Sequence, residues 1–522
     1  MKKFRVSAAL AALAAVMLMA SCSGNDSIDG KLDRFVSDKT DIVITGDISR
    51  TIGATGSTVE DGKIKPSESL DELLSLMGSR ERSRMEEIME FKGMDWSNCL
   101  LALKFKDIEN PDFLLVWNVD DEKDFAKSMA DAISDFEVDE TDGYVTVGDE
   151  EGTLLLKDKL AILPFKHAKP MKASRAIDFV EAWEADVKDN PLSAWKKERL
   201  EAEHICNVLV DARNIGKLVS NDYSYRMALA SMPEMAEYAR KALKGVYCGY
   251  FDIAEKTATM EVEIFDQEGK ALNLYKDNGE IDTGLLKYGN KDDIFVAAAG
   301  DMNKIAQYVR KNIPQSAMRD SMTLEIFDTF MGNLGSTIMV MGGPVDLQEV
   351  DELNGWNLVG CVKFKDNASA AKALDTAVAL MEMSGTPAES HTPGVQAVVK
   401  AVVDYKYNYD SYSYSYYDYD SYRQPVYATF YAKVDGNVLV VSNANVKGGG
   451  CPVNADAFNG ALAGVAWNVE KNSNVAAALN APFGTKGSWT GTGNSSKLTI
   501  TLTDTDKNFL ETLMGLIGSN IK

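Results

Sequence analysis

Three histidines, His167, His204 and His391, are scattered through a chain of 522 residues, and their spacing proposes neither a metal site nor a Ser-His-Asp triad. Ser193-Ala-Trp-Lys196 matches SxxK, the pattern in which a lysine activates a serine nucleophile. It stands without a KTG or SDN partner, in a charged segment that reads as helix. P-loop, GxSxG and HExxH patterns are absent. Asp504-Thr-Asp506-Lys-Asn508 opens like a calcium loop but lacks the glycine at the sixth place and the glutamate at the twelfth, so it is expected to start a helix before Phe509. The 78 acidic residues leave a carboxylate pair for polysaccharide hydrolysis open but unassignable. No catalytic residue, metal ligand or cofactor is therefore expected from the sequence.

The residues that could recognise something are tyrosines. Residues 405–422 hold Tyr405, Tyr407, Tyr409, Tyr412, Tyr414, Tyr416, Tyr417, Tyr419 and Tyr422, separated by Asp, Ser, Asn and Lys. Such low complexity with no aliphatic side chain predicts a loop or an extended hairpin outside the core. Tyrosine offers a large amphipathic contact area at low entropic cost, and the intervening polar groups can bond sugar hydroxyls or backbone, which would make a recognition loop. A length-variable surface insertion is the alternative reading.

Cys22 points to location. Lys2, Lys3 and Arg5 precede an apolar run, Ala8 to Leu18, and Met19-Ala20-Ser21 leads to the cysteine, so residues 1–21 read as a lipoprotein signal peptide and 22–30 as a lipidated linker. No later apolar run has the length of a membrane helix, which makes the lipid on Cys22 the expected link to the membrane. Cleavage removes Lys2, Lys3 and Arg5 and no acidic residue, taking the net charge from −23 to −26. A field of that sign repels nucleic acid, so none is expected as a partner. The other thiols, Cys99, Cys206, Cys248, Cys361 and Cys451, form no CxxC pair, and several sit inside apolar runs. They are expected as buried free cysteines.

The elements that would position these residues recur in order. Asp41 to Ile52 and Ile294 to Ile305 each read as a strand ending in Gly-Asp before a helix, with Asp47 and Asp301 as expected caps. Phe113 to Asn118 leads into a helix at Asp121 to Ile133, and Asn357 to Val362 into one at Asp366 to Met383. Hairpins follow, turning at Asp158-Lys159 and Asp435-Gly436. Val208 to Leu218 matches Val465 to Leu479, and paired strands close each half at Gly245 to Asp266 and Gly487 to Thr503. The expectation is an α+β fold of two duplicated halves, 31–284 and 285–522, each a largely antiparallel sheet with helices packed on one side. A helical insertion at 173–203, anchored by Trp183 and Trp195, marks the first half, and the tyrosine tract marks the second.

The lipobox, the length, the Gly-Asp strand ends and the Val434-to-Ser442 hairpin with its Asp435-Gly436 turn resemble an uncharacterised family of Bacteroidota lipoproteins, a domain of unknown function. That resemblance implies an envelope lipoprotein of a diderm bacterium, at the outer membrane, and brings no site residues with it. The sparse acidity of Ser23 to Asp29 leaves periplasmic and surface-facing orientations both open. The expected role is a non-enzymatic module that binds a protein or glycan. The alternatives are a carboxylate-dependent polysaccharide hydrolase and a structural envelope spacer.

Overall fold

The structure is a computed structural model; it describes residues 29–521 apart from 108–109, 134–135, 150–151, 222–224, 228–232, 275–280, 305, 308–320, 345–355, 408–422, 444–449, 454, 472 and 474–482. The chain divides into two compact units, Met1–Leu274 with Asn494–Lys522, and Tyr275–Gly493. Both are α+β, and every strand pairing described is antiparallel.

In the first unit, α1 (Asp29–Phe35) precedes β1 (Ile42–Asp47), and α2 (Ile48–Ala54) follows directly. A small separate hairpin, β2 (Thr58–Glu60) and β3 (Lys63–Lys65), leads to α3 (Glu68–Ser75) and α4 (Ser79–Met89). Next come β4 (Met94–Lys104), β5 (Asp112–Val119), α5 (Glu122–Ala132), β6 (Glu137–Thr141), β7 (Tyr144–Gly148), β8 (Thr153–Lys157), β9 (Leu160–Lys166) and the short β10 (Lys169–Pro170). Residues 173–203, expected to be helical, contain α6 (Ala173–Asp189) and α7 (Ala194–Leu200), and β11 (Cys206–Asp211), α8 (Ala212–Ser220), α9 (Pro233–Ala242), β12 (Val246–Ala254) and β13 (Thr257–Phe265) complete the run. The strands lie in the order β6-β7-β8-β9-β5-β4-β1-β11-β12-β13.

Helices cover both faces of this sheet, which corrects the expectation of helices on one side. Trp117 packs with Ile48, Leu74, Ile88, Phe125 and Met129 from α2 to α5, whereas its neighbour Val116 packs with Leu32, Phe35, Val180 and Trp183 from α1 and α6. The cause is in the strands: Leu114 to Trp117 and Leu154 to Leu156 are buried without a break, as strands covered on both faces must be. The one-sided expectation rests on the alternation of Met260, Val262 and Ile264, and of Leu498, Ile500 and Leu502, against polar neighbours; of these Leu502 is buried, but Met260 is 49% exposed.

The second unit opens with β14 (Phe295–Ala299), α10 (Ser321–Phe330), β15 (Leu334–Pro344) and β16 (Trp356–Phe364). Then follow α11 (Asn367–Met383), β17 (Ala388–Thr392), β18 (Gln396–Tyr407), β19 (Arg423–Asp435), β20 (Val438–Ser442), β21 (Ala463–Val469) and β22 (Gly484–Gly491). The order is β17-β18-β19-β20-β16-β15-β14-β21-β22. Val296, Met339, Cys361 and Val440 form one core cluster; Phe364, Ala373, Leu374 and Leu439, under α11, form another.

The last elements, β23 (Ser495–Thr503) and α12 (Phe509–Ile521), belong to the first unit. β23 pairs with β13 from Thr257↔Thr501 to Glu263↔Ser495. Phe509 and Leu510 pack against Ile205 and Ile253, and Lys507 Nζ donates to Ser69 Oγ at 2.9 Å. Residues 494–522, read from the sequence as the close of the second half, thus group by packing with the first unit, and the division between the units near Tyr275 precedes the expected one at 284/285.

Local chemistry accounts for the element ends. Asp47, Asp121, Asp211 and Asp366 each sit in extended backbone and accept N–H groups from the first turn of the next helix. Asp301 departs from the expectation: it lies beyond the end of β14 with φ 57°, and its carboxylate takes Lys304 Nζ at 3.0 Å. The β8–β9 turn at Asp158-Lys159 has both residues at positive φ, the twist a two-residue hairpin needs. In the β19–β20 hairpin Asp435 pairs with Val438, so the two-residue loop is Gly436-Asn437, one place beyond the expected pair.

Candidate functional site

The tyrosine tract lies between β18 and β19, the longest strands of the second unit. Their pairing runs from Gln396↔Lys433 to Tyr407↔Arg423, with an irregularity between Val402 and Asp404. β17 pairs with β18 only as far as Val399, and β20 with β19 only as far as Tyr431. From Lys400↔Thr429 outward, the two strands have no flanking strand among the described residues. They continue as a two-stranded ribbon. Tyr405 and Tyr407 fall on its outer end, opposite Pro425 and Arg423. Tyr409, Tyr412, Tyr414, Tyr416, Tyr417, Tyr419 and Tyr422 lie outside the described residues, as does Cys22.

Sequence reasoning stopped at the tract and missed the ribbon below it. Lys400, Val402, Tyr427, Tyr431 and Lys433 are exposed, and strand alternation puts all of them on one face. Tyr427 is 47% exposed and Tyr431 38%. Lys400 Nζ stands 5.1 Å from the Tyr427 ring centroid. Ala397, Val399 and Ala428, of the opposite parity, are buried. The signal was available in the period-two run Tyr427, Thr429, Tyr431, Lys433.

The chemistries weighed in the sequence resolve into structure. Ser193 Oγ donates to Asp38 Oδ1 at 3.1 Å. Lys196 Nζ lies 3.2 Å from that same oxygen and 3.0 Å from Asp211 Oδ2. The lysine is engaged by two carboxylates, and Arg213 adds Nη2 at 2.7 Å to Asp211. The network ties α7 to the cap of α8. With Lys196 and Asp211 almost fully buried, it holds α7 in place. Trp183 acts likewise: its Nε1 donates to Phe35 O at 2.8 Å, and Trp195 packs on Phe265.

Each histidine meets an aspartate. His204 Nδ1 is 2.5 Å from Asp252 Oδ2, His391 Nε2 2.9 Å from Asp375 Oδ1, and His167 Nδ1 3.9 Å from Asp112 Oδ1. Asp252 also accepts Ile205 N and Arg50 Nη2, so the His204 pair clamps α2 to β12. No hydrogen bond among the described residues joins His204 Nε2 to a hydroxyl or thiol. Among the described residues there is also no group of three metal-ligating side chains. Among the described residues, Cys99, Cys206, Cys248, Cys361 and Cys451 form no disulfide. Burial pushes Cys206, Cys248 and Cys451 up to about 11 and Cys361 to about 12, far from the thiolate that reaction requires.

Two strand-end carboxylates show how environment divides one residue type. Burial raises Asp47 to about 6, against the opposing bonds from Arg50 and Ser49, and its Oδ2 has no hydrogen-bond partner. Asp211 is also desolvated, yet Arg213 and Lys196 hold it below the usual carboxylate range. Asp47 has the raised value of a general acid, but at 0% exposure it meets no substrate.

Comparison with known proteins places no family on the chain. No protein-family model matches it, and no curated protein matches it. A solved structure titled "Structure of crystal form I of TP0453" is similar over 44% of this chain and 77% of that one, at 10% identity and a TM-score of 0.25. Among the described residues no helix is long and apolar enough to cross a membrane.

Proposed function

We propose that this chain is a cell-envelope lipoprotein, anchored through Cys22, whose second unit binds a protein or glycan partner through the tyrosine-tipped ribbon. The observation that carries this reading is the reach of β18 and β19 beyond their neighbours, from Lys400↔Thr429 to Tyr407↔Arg423, with Val402 and Tyr427 exposed on the ribbon and Tyr405 and Tyr407 at its outer end. Aromatic residues on a projecting hairpin give contact area without disturbing the core.

The two units support a duplication in the same reading. In each, four consecutive strands, β6 to β9 or β17 to β20, lie beside β5, β4 and β1 or β16, β15 and β14, and β11 and β12 or β21 and β22 follow beyond them, in one order. Where the first unit has the β7–β8 pairing, which ends at Gly148↔Thr153, the second has β18–β19 with the tract. The ribbon is then an elaboration of an ordinary hairpin. The resemblance to envelope lipoproteins of Bacteroidota agrees with the lipobox at Cys22.

The test compares the soluble mature chain with a form lacking residues 408–422, on a glycan array and on isolated envelope membranes. Binding lost on deletion, with an unchanged melting curve, supports the reading. Binding that survives the deletion sinks it. Protease digestion of the native protein on intact cells, set against a Cys22→Ala variant, decides the leaflet it faces.

A further inference from the structure

The exposed face of β18 and β19, from the ribbon down into the part flanked by β17 and β20, is narrower in its chemistry than the tract. Along β19 it presents Tyr427, Thr429, Tyr431 and Lys433; along β18, Gln396, Val398, Lys400 and Val402, each opposite its partner in that register. Beside them β17 adds Ser390 and Thr392, paired with Val398 and Gln396. Asp435, the last residue of β19 and two places beyond Lys433 on the same face, bounds the array: it accepts the Tyr288 hydroxyl at 2.7 Å and lies 3.8 Å from Lys287, and Lys433 Nζ stands 5.9 Å from the Tyr288 ring centroid. The eight positions from Lys433 and Gln396 out to Tyr427 and Val402 carry no carboxylate, in a chain with 78 acidic and 55 basic residues. Its side chains are aromatic, hydroxylated and, at Lys400 and Lys433, cationic.

We propose that this face of β18 and β19 binds an acidic polysaccharide, with Tyr427 and Tyr431 stacking on sugar rings and Lys400 and Lys433 pairing with uronate carboxylates. The proposal rests on the ribbon being the binding element and adds the class of ligand. Tyr427 and Tyr431 are four residues apart on one strand face, roughly 13 Å, a span that covers two to three pyranose units. A tyrosine ring has a negative face, which attracts the electron-poor C–H edge of a pyranose. Lys400 lies between the two tyrosines in register, opposite Thr429, so a carboxylate on a sugar between the stacked units meets an ammonium. Local charge argues for the occupant: the net charge of the mature chain, −26, opposes an anionic chain at long range, so binding has to come from short-range pairing with Lys400 and Lys433 together with stacking on the tyrosines. A neutral glycan would make no use of the lysines, and an acidic peptide none of the paired tyrosine platforms.

The experiment titrates the full mature chain with polygalacturonate, with its fully methyl-esterified form, and with poly-glutamate, by isothermal calorimetry at low and moderate salt. The expected result is binding to polygalacturonate that weakens with salt, falls at least tenfold on esterification, and falls at least tenfold in Tyr427→Ala/Tyr431→Ala and again in Lys400→Gln/Lys433→Gln. All four side chains are exposed, and melting curves of the variants show whether the fold is kept. Poly-glutamate bound as tightly as polygalacturonate would overturn the proposal in favour of charge alone or an acidic peptide. No binding to polygalacturonate, or binding indifferent to both double variants, also overturns it. The form lacking residues 408–422 separates the two readings: if it still binds polygalacturonate through Tyr427 and Tyr431, the face is the site and the tract is not.

Discussion

Asp47 and Lys31 carry costs that the rest of the molecule offsets. Asp47 is raised to about 6 in the fold, chiefly by burial, above the ordinary carboxylate value of 3.8. Its folded state therefore holds a proton that the unfolded chain releases. The favourable contribution is present in full below about pH 4 and is lost as the pH rises through 6, so at pH 7 the ionised, half-satisfied carboxylate destabilises the protein. Asp47→Asn keeps an oxygen for Arg50 N and removes the charge. Urea denaturation at pH 7 is expected to show the variant more stable by about 2 kcal/mol, with the gap closing by pH 4. Lys31, 2% exposed in α1, is lowered to about 8 by burial, which Asp95 only partly opposes. Here the unfolded state binds the extra proton between pH 8 and 10.5, so stability should rise with pH over that window. In Lys31→Met that rise should vanish and the neutral-pH stability increase by about 2 kcal/mol. A wild-type and variant that track each other from pH 7 to 10.5 would show that Lys31 reaches water.

At the scale of elements, the sequence disclosed what is local and hid what depends on neighbours. The helix at Asp121 to Ile133 was legible because Phe125 and Met129 share a face and Asp121 caps it, and the structure begins the helix at Glu122. The hairpin at Asp158-Lys159 was legible because a two-residue turn between apolar runs has few alternatives. Cover on both sheet faces was not, because an unbroken apolar strand such as Leu154 to Leu156 does not say what packs on it. Asp301 misled because Gly-Asp marks a strand end without fixing how far beyond the last pair it falls. Of the candidate site, composition marked the tract but the strand lengths that make a ribbon depend on where β17 and β20 stop. The β19–β20 hairpin, which roots the ribbon, turns on Gly436 at φ 61°, where a side chain is strained even though the nearest atom, Asn367 Oδ1, is 3.9 Å away. Gly436→Val should cost about 1–2 kcal/mol, since a β-branched residue tolerates that backbone least. Thermal melting reads the loss; an unchanged midpoint would mean that the turn relaxes to another type.

For the whole molecule the consequential fact is that the chain's last segment completes its first unit. β23 gives β13 a partner along Thr257 to Glu263, and α12 packs on α3, with Thr257 and Thr501 hydroxyls 3.0 Å apart and Lys497 reaching Glu261 at 2.8 Å. These contacts join positions more than two hundred residues apart in sequence, so they close a long loop that must form before it is rewarded. The first unit is accordingly expected to reach its final stability only when synthesis is complete. A chain ending at Gly493 should keep the second unit and lose protection in the first. Hydrogen exchange would show this as faster exchange at Val246 to Phe265, with the amides of β15 and β16 unchanged. β13 would then present a bare edge with Met260 on its exposed face, which predicts association at rising concentration, because an unpaired strand edge is a template for another chain. Equal exchange in both lengths of chain would mean that β12 and β13 stand without β23, and that the pairing contributes little to holding the first unit together.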